Sequence, residues 1–167
     1  NLSSHKSEKA ASILKERVHE YFEMRPQQDS PYMLIVAPVL ASQRIPPNGD
    51  AAELRGIDKL KLARSSIPAV THVDYSVRVQ TVDSERHGRY YDLIRQFEQK
   101  TGCPVIINTS FNVRSEPIVC SPEHAYRCFM ACNMDVLVLE NFVLHKEDQA
   151  SAKKHEIDEY LAQFDLD

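Results

Sequence analysis

No apolar run in this sequence approaches the roughly 20 residues that a membrane helix needs. The opening stretch, NLSSHKSEKA, has no apolar core, so it does not read as a secretory signal. An initiator methionine is also missing, which predicts a fragment or a processed product; with no signal or membrane segment legible, the cytoplasm is the default expectation. Strong positive charge is absent too. The formal net charge is -4, which argues against a general nucleic-acid binder, because neutralising phosphates takes a basic field. The four cysteines, Cys103, Cys120, Cys128 and Cys132, form no CxxC pair and no zinc-ribbon spacing, so buried free thiols are expected. There is no P-loop, no GxGxxG and no Ser-His-Asp order. No internal repeat or low-complexity segment interrupts the 167 residues, a length that suits one domain with a real core.

What is present alternates between apolar runs and amphipathic stretches. Ile13, Leu14, Val18, Tyr21 and Phe22 recur at helical spacing, which predicts a helix from about Glu8 to Phe22, ended by Arg25-Pro26. Tyr32 to Ala37 is continuously apolar between Pro31 and Pro38, the pattern of a buried central strand. Residues 40 to 66 are irregular, and Lys59, Lys61 and Arg64 read as a solvated face or an anion-gripping loop. Val73, Tyr75, Val77 and Val79 alternate with polar residues, so one or two strands are expected there with Arg78 on the polar face. RYYDLIRQFEQKTG is an amphipathic helix stopped by Gly102. Pro104 to Asn108 is a strand, and SPEHAYRCFMAC a helix capped by Ser121 with Pro122 at its first position. MDVLVLENFVLHK reads as one strand, bent near Glu140-Asn141, and a polar helix from about Ser151 to Phe164 closes the chain. The class is α/β, a twisted mixed sheet with packed helices.

Chemistry concentrates in PVIINTSFNVRSEP. Asn108, Thr109, Ser110, Asn112 and Arg114 crowd the end of a strand, where open α/β sheets bind ligands. Two readings stand side by side: short side chains capping a turn, or hydroxyls, an amide and a guanidinium gripping a phosphate or carbonyl. Arg78, set among apolar neighbours, needs a partner; a ligand anion or Asp74 would serve. His72 with Asp74, on one strand face, or His124 with Cys128 and Cys132, on one helix, have spacings that suit a metal; structural roles explain them as well.

These stretches, together with SPYMLIVAPV, VTHVDYSVRVQTV and MDVLVLENFVL, resemble the carboxyl-terminal domain of the NodU/CmcH/TobZ carbamoyltransferases from about Ser30 to Lys146. The resemblance implies a YrdC-like fold in a single domain, 1–167, with a metal-bearing amino-terminal transferase domain missing. It implies carbamoyl phosphate and ATP (with Mg) as ligands, and carbamoyl-adenylate as the product passed to a hydroxyl acceptor in the other domain. Partners would be small molecules and that domain, not nucleic acid or membrane, and no metal is expected in this domain's own ligand set. By position, the family motifs make Arg78, Ser110 and Asn112 catalytic, with Thr109 and Arg114 joining Arg78, Ser110 and Asn112 in ligand binding. Departures exist. The family's Arg-Pro-Phe-Ala-Pro element is replaced by HKSEKAASIL, keeping Ala10 and the Ser12-Ile13-Leu14 tail, and its Gly-Pro-Arg-Ala-Leu-Gly stretch is absent. Ser115 replaces a glycine, at a cost of about 1 kcal/mol if that position has positive φ. The eroded first segment also motivates a rival expectation, a non-catalytic docking or regulatory module.

Overall fold

A computed structural model describes residues 9–46, 63–113 and 116–149. The chain forms two compact units, Asn1–Thr109 and Ser110–Asp167. The expected mixed α/β architecture is present.

The first unit is built on a four-stranded sheet. Its strands are β1 (Ala10–Leu14), β2 (Ile35–Pro38), β3 (Ser76–Val82) and β4 (Val105–Asn108), in the order β2-β3-β1-β4. β1 runs parallel to β3 and antiparallel to β4, while β2 is antiparallel to β3. The helix expected from Glu8 to Phe22 is therefore corrected. Ala10 to Leu14 is a strand buried along its whole length, and only a 3-10 turn at Lys15–Arg17 and a short helix, α1 (Val18–Tyr21), follow it. A strand covered on both faces carries no period-two signature, and its Ala and Leu residues are good helix formers.

The apolar run from Tyr32 to Ala37 is also corrected, from a central strand to an edge. Tyr32, Leu34 and Val36 are 73%, 83% and 63% exposed, and of β2 only Ala37 is buried. Pro38 suits that place, since it has no N–H to give a further neighbour. The strand expected to begin near Val73 starts at Ser76. Before it, Tyr75 takes φ +63°, and Asp74 Oδ1 accepts from the Ser76 N–H at 3.0 Å and the Ser76 hydroxyl at 2.6 Å. These bonds hold the Asp74 carboxyl below its ordinary pKa, and they occupy the group considered as a partner for Arg78. His72 and Asp74 lie in this turn, not on a strand face.

One sheet face carries the core: Ala11, Ile13, Val77, Val79, Ala37 and Val105 pack with Val18, Phe22, Val39, Ile67 and Val70. A side chain as fully buried as Ile13 or Phe22 contributes about 1.5–3 kcal/mol by leaving water. On the opposite face Leu14 and Val82 meet Ile94. Ile94 comes from α3 (Arg89–Thr101), which follows a short α2 (Ser84–His87) and ends, as expected, at Gly102 with φ +74°. That value is left-handed and favours glycine. Of the apolar residues of this amphipathic helix, Leu93 and Phe97 are exposed.

The second unit pairs α4 (Pro122–Ala131) with a hairpin, β5 (Val136–Leu139) and β6 (Phe142–His145). Ser121 caps α4, accepting from the His124 N–H at 3.2 Å, and Pro122 opens it. The expected single bent strand is instead two strands joined at Glu140-Asn141, with Glu140 at φ +55°. Neither residue is glycine, so the usual hairpin signal is missing from the sequence. Lys146 closes the C-terminal end of α4, donating to the carbonyls of Phe129 and, at 2.9 Å, Cys132. The helix expected at Ser151–Phe164 lies outside the described residues.

Thr81 is a sharp test of the first unit. It is fully buried, and its hydroxyl accepts from the Ser30 N–H at 2.7 Å and reaches Asp29 Oδ1 at 3.2 Å. Thr81→Val keeps the shape and strands that buried N–H. The urea midpoint is expected to fall by an amount equivalent to about 1–3 kcal/mol at unchanged slope; no fall would show that the bond contributes nothing.

Candidate functional site

β1 brings two distant motifs into one row. Val36, Arg78, Ala10 and Asn108 are register partners across the four strands, so their side chains share a face. Arg78 and Asn108 stand on either side of Ala10, with their strands roughly 10 Å apart. The next row on that face is Gln80, Ser12 and Ile106, and beyond it Val82 and Leu14 disappear under α3. The face is thus apolar at one end and polar at the other.

The polar end is tightly bonded. Gln80 Oε1 accepts from the Ser12 hydroxyl and from Asn108 Nδ2, each at 2.7 Å, and Gln80 Nε2 donates to the Pro31 carbonyl at 3.0 Å. Arg78 Nε donates to the Met33 carbonyl at 3.1 Å. Burial raises the Tyr90 phenol pKa above its ordinary value, and its contact with the Ser12 hydroxyl partly offsets this. The arrangement offers a guanidinium and an amide on a face backed by a rigid sheet.

Thr109 and Ser110 follow β4 and are exposed. Asn112 belongs to the second unit, in a loop that closes on itself. Its Nδ2 donates to the carbonyls of Val113 at 3.0 Å and Glu116 at 3.1 Å, while Glu116 Oε2 accepts from the Val113 N–H at 2.9 Å. Local capping therefore accounts for the donor side of Asn112. Its Oδ1 is buried and has no hydrogen-bond partner, an arrangement that costs about 1–3 kcal/mol unless a donor arrives. Arg114 and Ser115 lie outside the described residues, as do Lys59 and Lys61. Of the expected residues, Arg78 and Thr109 sit in the first unit, and Ser110 and Asn112 in the second.

Sequence reasoning overlooked Gln80 and Ser12. Gln80 was legible: it lies two residues after Arg78 in a period-two strand, hence on the same face. Ser12 was hidden inside the segment read as a helix.

The proposed helical metal set does not assemble around His124. The His124 Nδ1 instead lies 3.5 Å from the Cys120 sulfur, and Cys128 is only 1% exposed. Burial, reinforced by Glu116, pushes the Cys128 thiol up to about 11. No group of three or more His, Cys, Asp or Glu side chains suited to a metal occurs among the described residues. Two hollows are lined by other residues. One, of about 290 Å³, is bordered by Lys15, Asp83, Arg86 and Tyr91; the other, a groove of about 720 Å³ in the second unit, by Tyr126, Arg127, Leu139 and Phe142.

Residues 8–146 match the model of the carbamoyltransferase C-terminus family. An uncharacterized protein of Synechocystis is 54% identical over 158 residues, which is 95% of this chain and 25% of that protein. Nodulation protein NolNO of Sinorhizobium fredii is 34% identical over 82% of this chain and 17% of its own length. Nodulation protein NolO of Bradyrhizobium diazoefficiens is 41% identical over 47% of this chain and 14% of its own. The chain belongs to the carbamoyltransferase C-terminus family. It spans about a quarter or less of the length of these curated relatives.

The thiols give a direct check on the second unit. At pH 8 a thiol with a pKa of about 11 is thiolate in roughly one molecule per thousand. Iodoacetamide should therefore label exposed Cys120 in the folded protein and leave Cys128 unlabelled until denaturant is added, as read by peptide mass spectrometry. Equal labelling of both would contradict the packing of α4.

Proposed function

We propose that the chain binds carbamoyl phosphate and ATP and forms a carbamoyl-adenylate, as the carboxyl-terminal part of an O-carbamoyltransferase. The observation that carries this reading is the row of Arg78 and Asn108 on one face of the sheet, in a chain of this family. Arg78 supplies a fixed positive fork for phosphate oxygens. The family motifs assign Thr109, Ser110, Asn112 and Arg114 to ligand binding as well, hydroxyl, amide and guanidinium groups of the kind that phosphate and carbonyl oxygens take. Carbamoyl phosphate is hydrolysed to carbamate and inorganic phosphate. A carbamate oxygen then attacks the α-phosphorus of ATP, the bond from that phosphorus to the bridging oxygen breaks, and pyrophosphate leaves with the electron pair. Mg accompanies ATP as a substrate complex. No covalent bond to the protein is needed, so its work is alignment and neutralisation of charge.

The adenylate would pass to an amino-terminal transferase domain of the same cytoplasmic enzyme, where a hydroxyl acceptor takes the carbamoyl group. Among the described residues no helix is long and apolar enough to cross a membrane. A docking or regulatory module is the second reading, favoured by the commitment of the Asn112 amide hydrogens to their own loop. Calorimetric titration separates the two. Carbamoyl phosphate and ATP should both bind, and Arg78→Ala should weaken carbamoyl phosphate by about tenfold or more, the effect of losing a hydrogen bond to a charged group. Failure of the folded protein to bind either ligand would leave the docking module.

A further inference from the structure

We propose that Asn108 reads the amino group of the carbamoyl ligand, through a side-chain carbonyl whose direction is set by Gln80 and, behind it, by Pro31. This rests on the carbamoyl-phosphate reading above and names the residue that selects the ligand's nitrogen end.

The orientation follows from donors and acceptors alone. A backbone carbonyl only accepts, so the side-chain atom of Gln80 facing Pro31, at 3.0 Å, is its NH₂ group. The other end of that amide, Oε1, is then an acceptor. It faces Asn108 at 2.7 Å, so Asn108 turns its own NH₂ group toward Gln80. The Ser12 hydroxyl, also at 2.7 Å, fills the second acceptor position of the same oxygen and holds it in place. Turning Asn108 over would set two carbonyl oxygens against each other. The atom that Asn108 presents away from Gln80 is therefore Oδ1, an acceptor. It takes no hydrogen bond from a described residue, and it is not among the buried polar atoms left unsatisfied.

An acceptor held in one direction is a poor contact for phosphate oxygens, which are acceptors themselves. It suits an N–H donor. In carbamoyl phosphate the phosphate end matches Arg78, and the amino end matches a carbonyl across Ala10 in the same row. The near-isosteric acetyl phosphate has a methyl group in place of the amine. It would strip water from Oδ1 and return no bond, and a site built around such a bond rejects an analogue lacking the donor.

The test compares dissociation constants for carbamoyl phosphate and acetyl phosphate. Wild type should prefer carbamoyl phosphate by about tenfold or more, and Asn108→Leu should bring the ratio near unity. Gln80→Leu should also erode the ratio, because the Asn108 amide is then free to turn. Gln80→Glu should keep the ratio, because its carboxylate still accepts from Asn108, while weakening both ligands, because it adds negative charge and sets an acceptor against the Pro31 carbonyl where Gln80 donates. Amide NMR spectra establish that each variant folds; if Asn108→Leu does not, the Gln80 pair decides. Equal binding of the two phosphates by wild type, a ratio unchanged in Asn108→Leu, or an Asn108→Leu defect confined to ATP would overturn the proposal and leave the carbamoyl-phosphate reading standing. Binding of neither phosphate would overturn both.

Discussion

Five residues, Ala10 to Leu14, hold the first unit together. β1 lies between β3 and β4 and is buried throughout, so both of its backbone edges must be paired. Remove it and β4 has no neighbour in the sheet. The same strand joins the two halves of the candidate site. Arg78 and Asn108 come from segments thirty residues apart, yet Ala10 is register partner to both. The small residue places a cation and an amide on opposite sides of one short gap.

That constraint was the least legible part of the sequence. A strand covered on both faces shows neither alternation nor a helical stripe, and here Ile13 and Leu14 happened to fall in phase with Val18, Tyr21 and Phe22. The long apolar run at Tyr32–Ala37 misled in the opposite direction. Hydrophobicity without periodicity indicated burial, but the run became an exposed edge, while the alternating strand beside it, β3, is central. Elements with their own end signals were read well. α3 ends at Gly102 and α4 begins at Ser121-Pro122, because capping chemistry is local and does not depend on neighbours in space.

The site divides the same way. Arg78 stood out as a charge among valines, and Asn108 to Asn112 as a polar cluster at a strand end. The place of Gln80 on the Arg78 face was legible but its role was not, since that comes from three partners far apart in sequence: Ser12, Pro31 and Asn108. Of the two sequence readings of Asn112, the capping one is observed. Its amide hydrogens cap its own loop, and its oxygen is buried without a partner. Cys128 is buried in α4, its thiol pushed up to about 11 by burial and then by Glu116, an environment that spacing alone could not separate from metal binding.

The central claim is that the face carrying Arg78, Gln80 and Asn108 receives carbamoyl phosphate. A crystal structure of the protein with carbamoyl phosphate bound tests it most directly. The account predicts the phosphate beside the Arg78 guanidinium and the carbamoyl nitrogen within hydrogen-bonding distance of Asn108 Oδ1. Carbamoyl phosphate bound elsewhere, with Arg78 and Asn108 untouched, would contradict it.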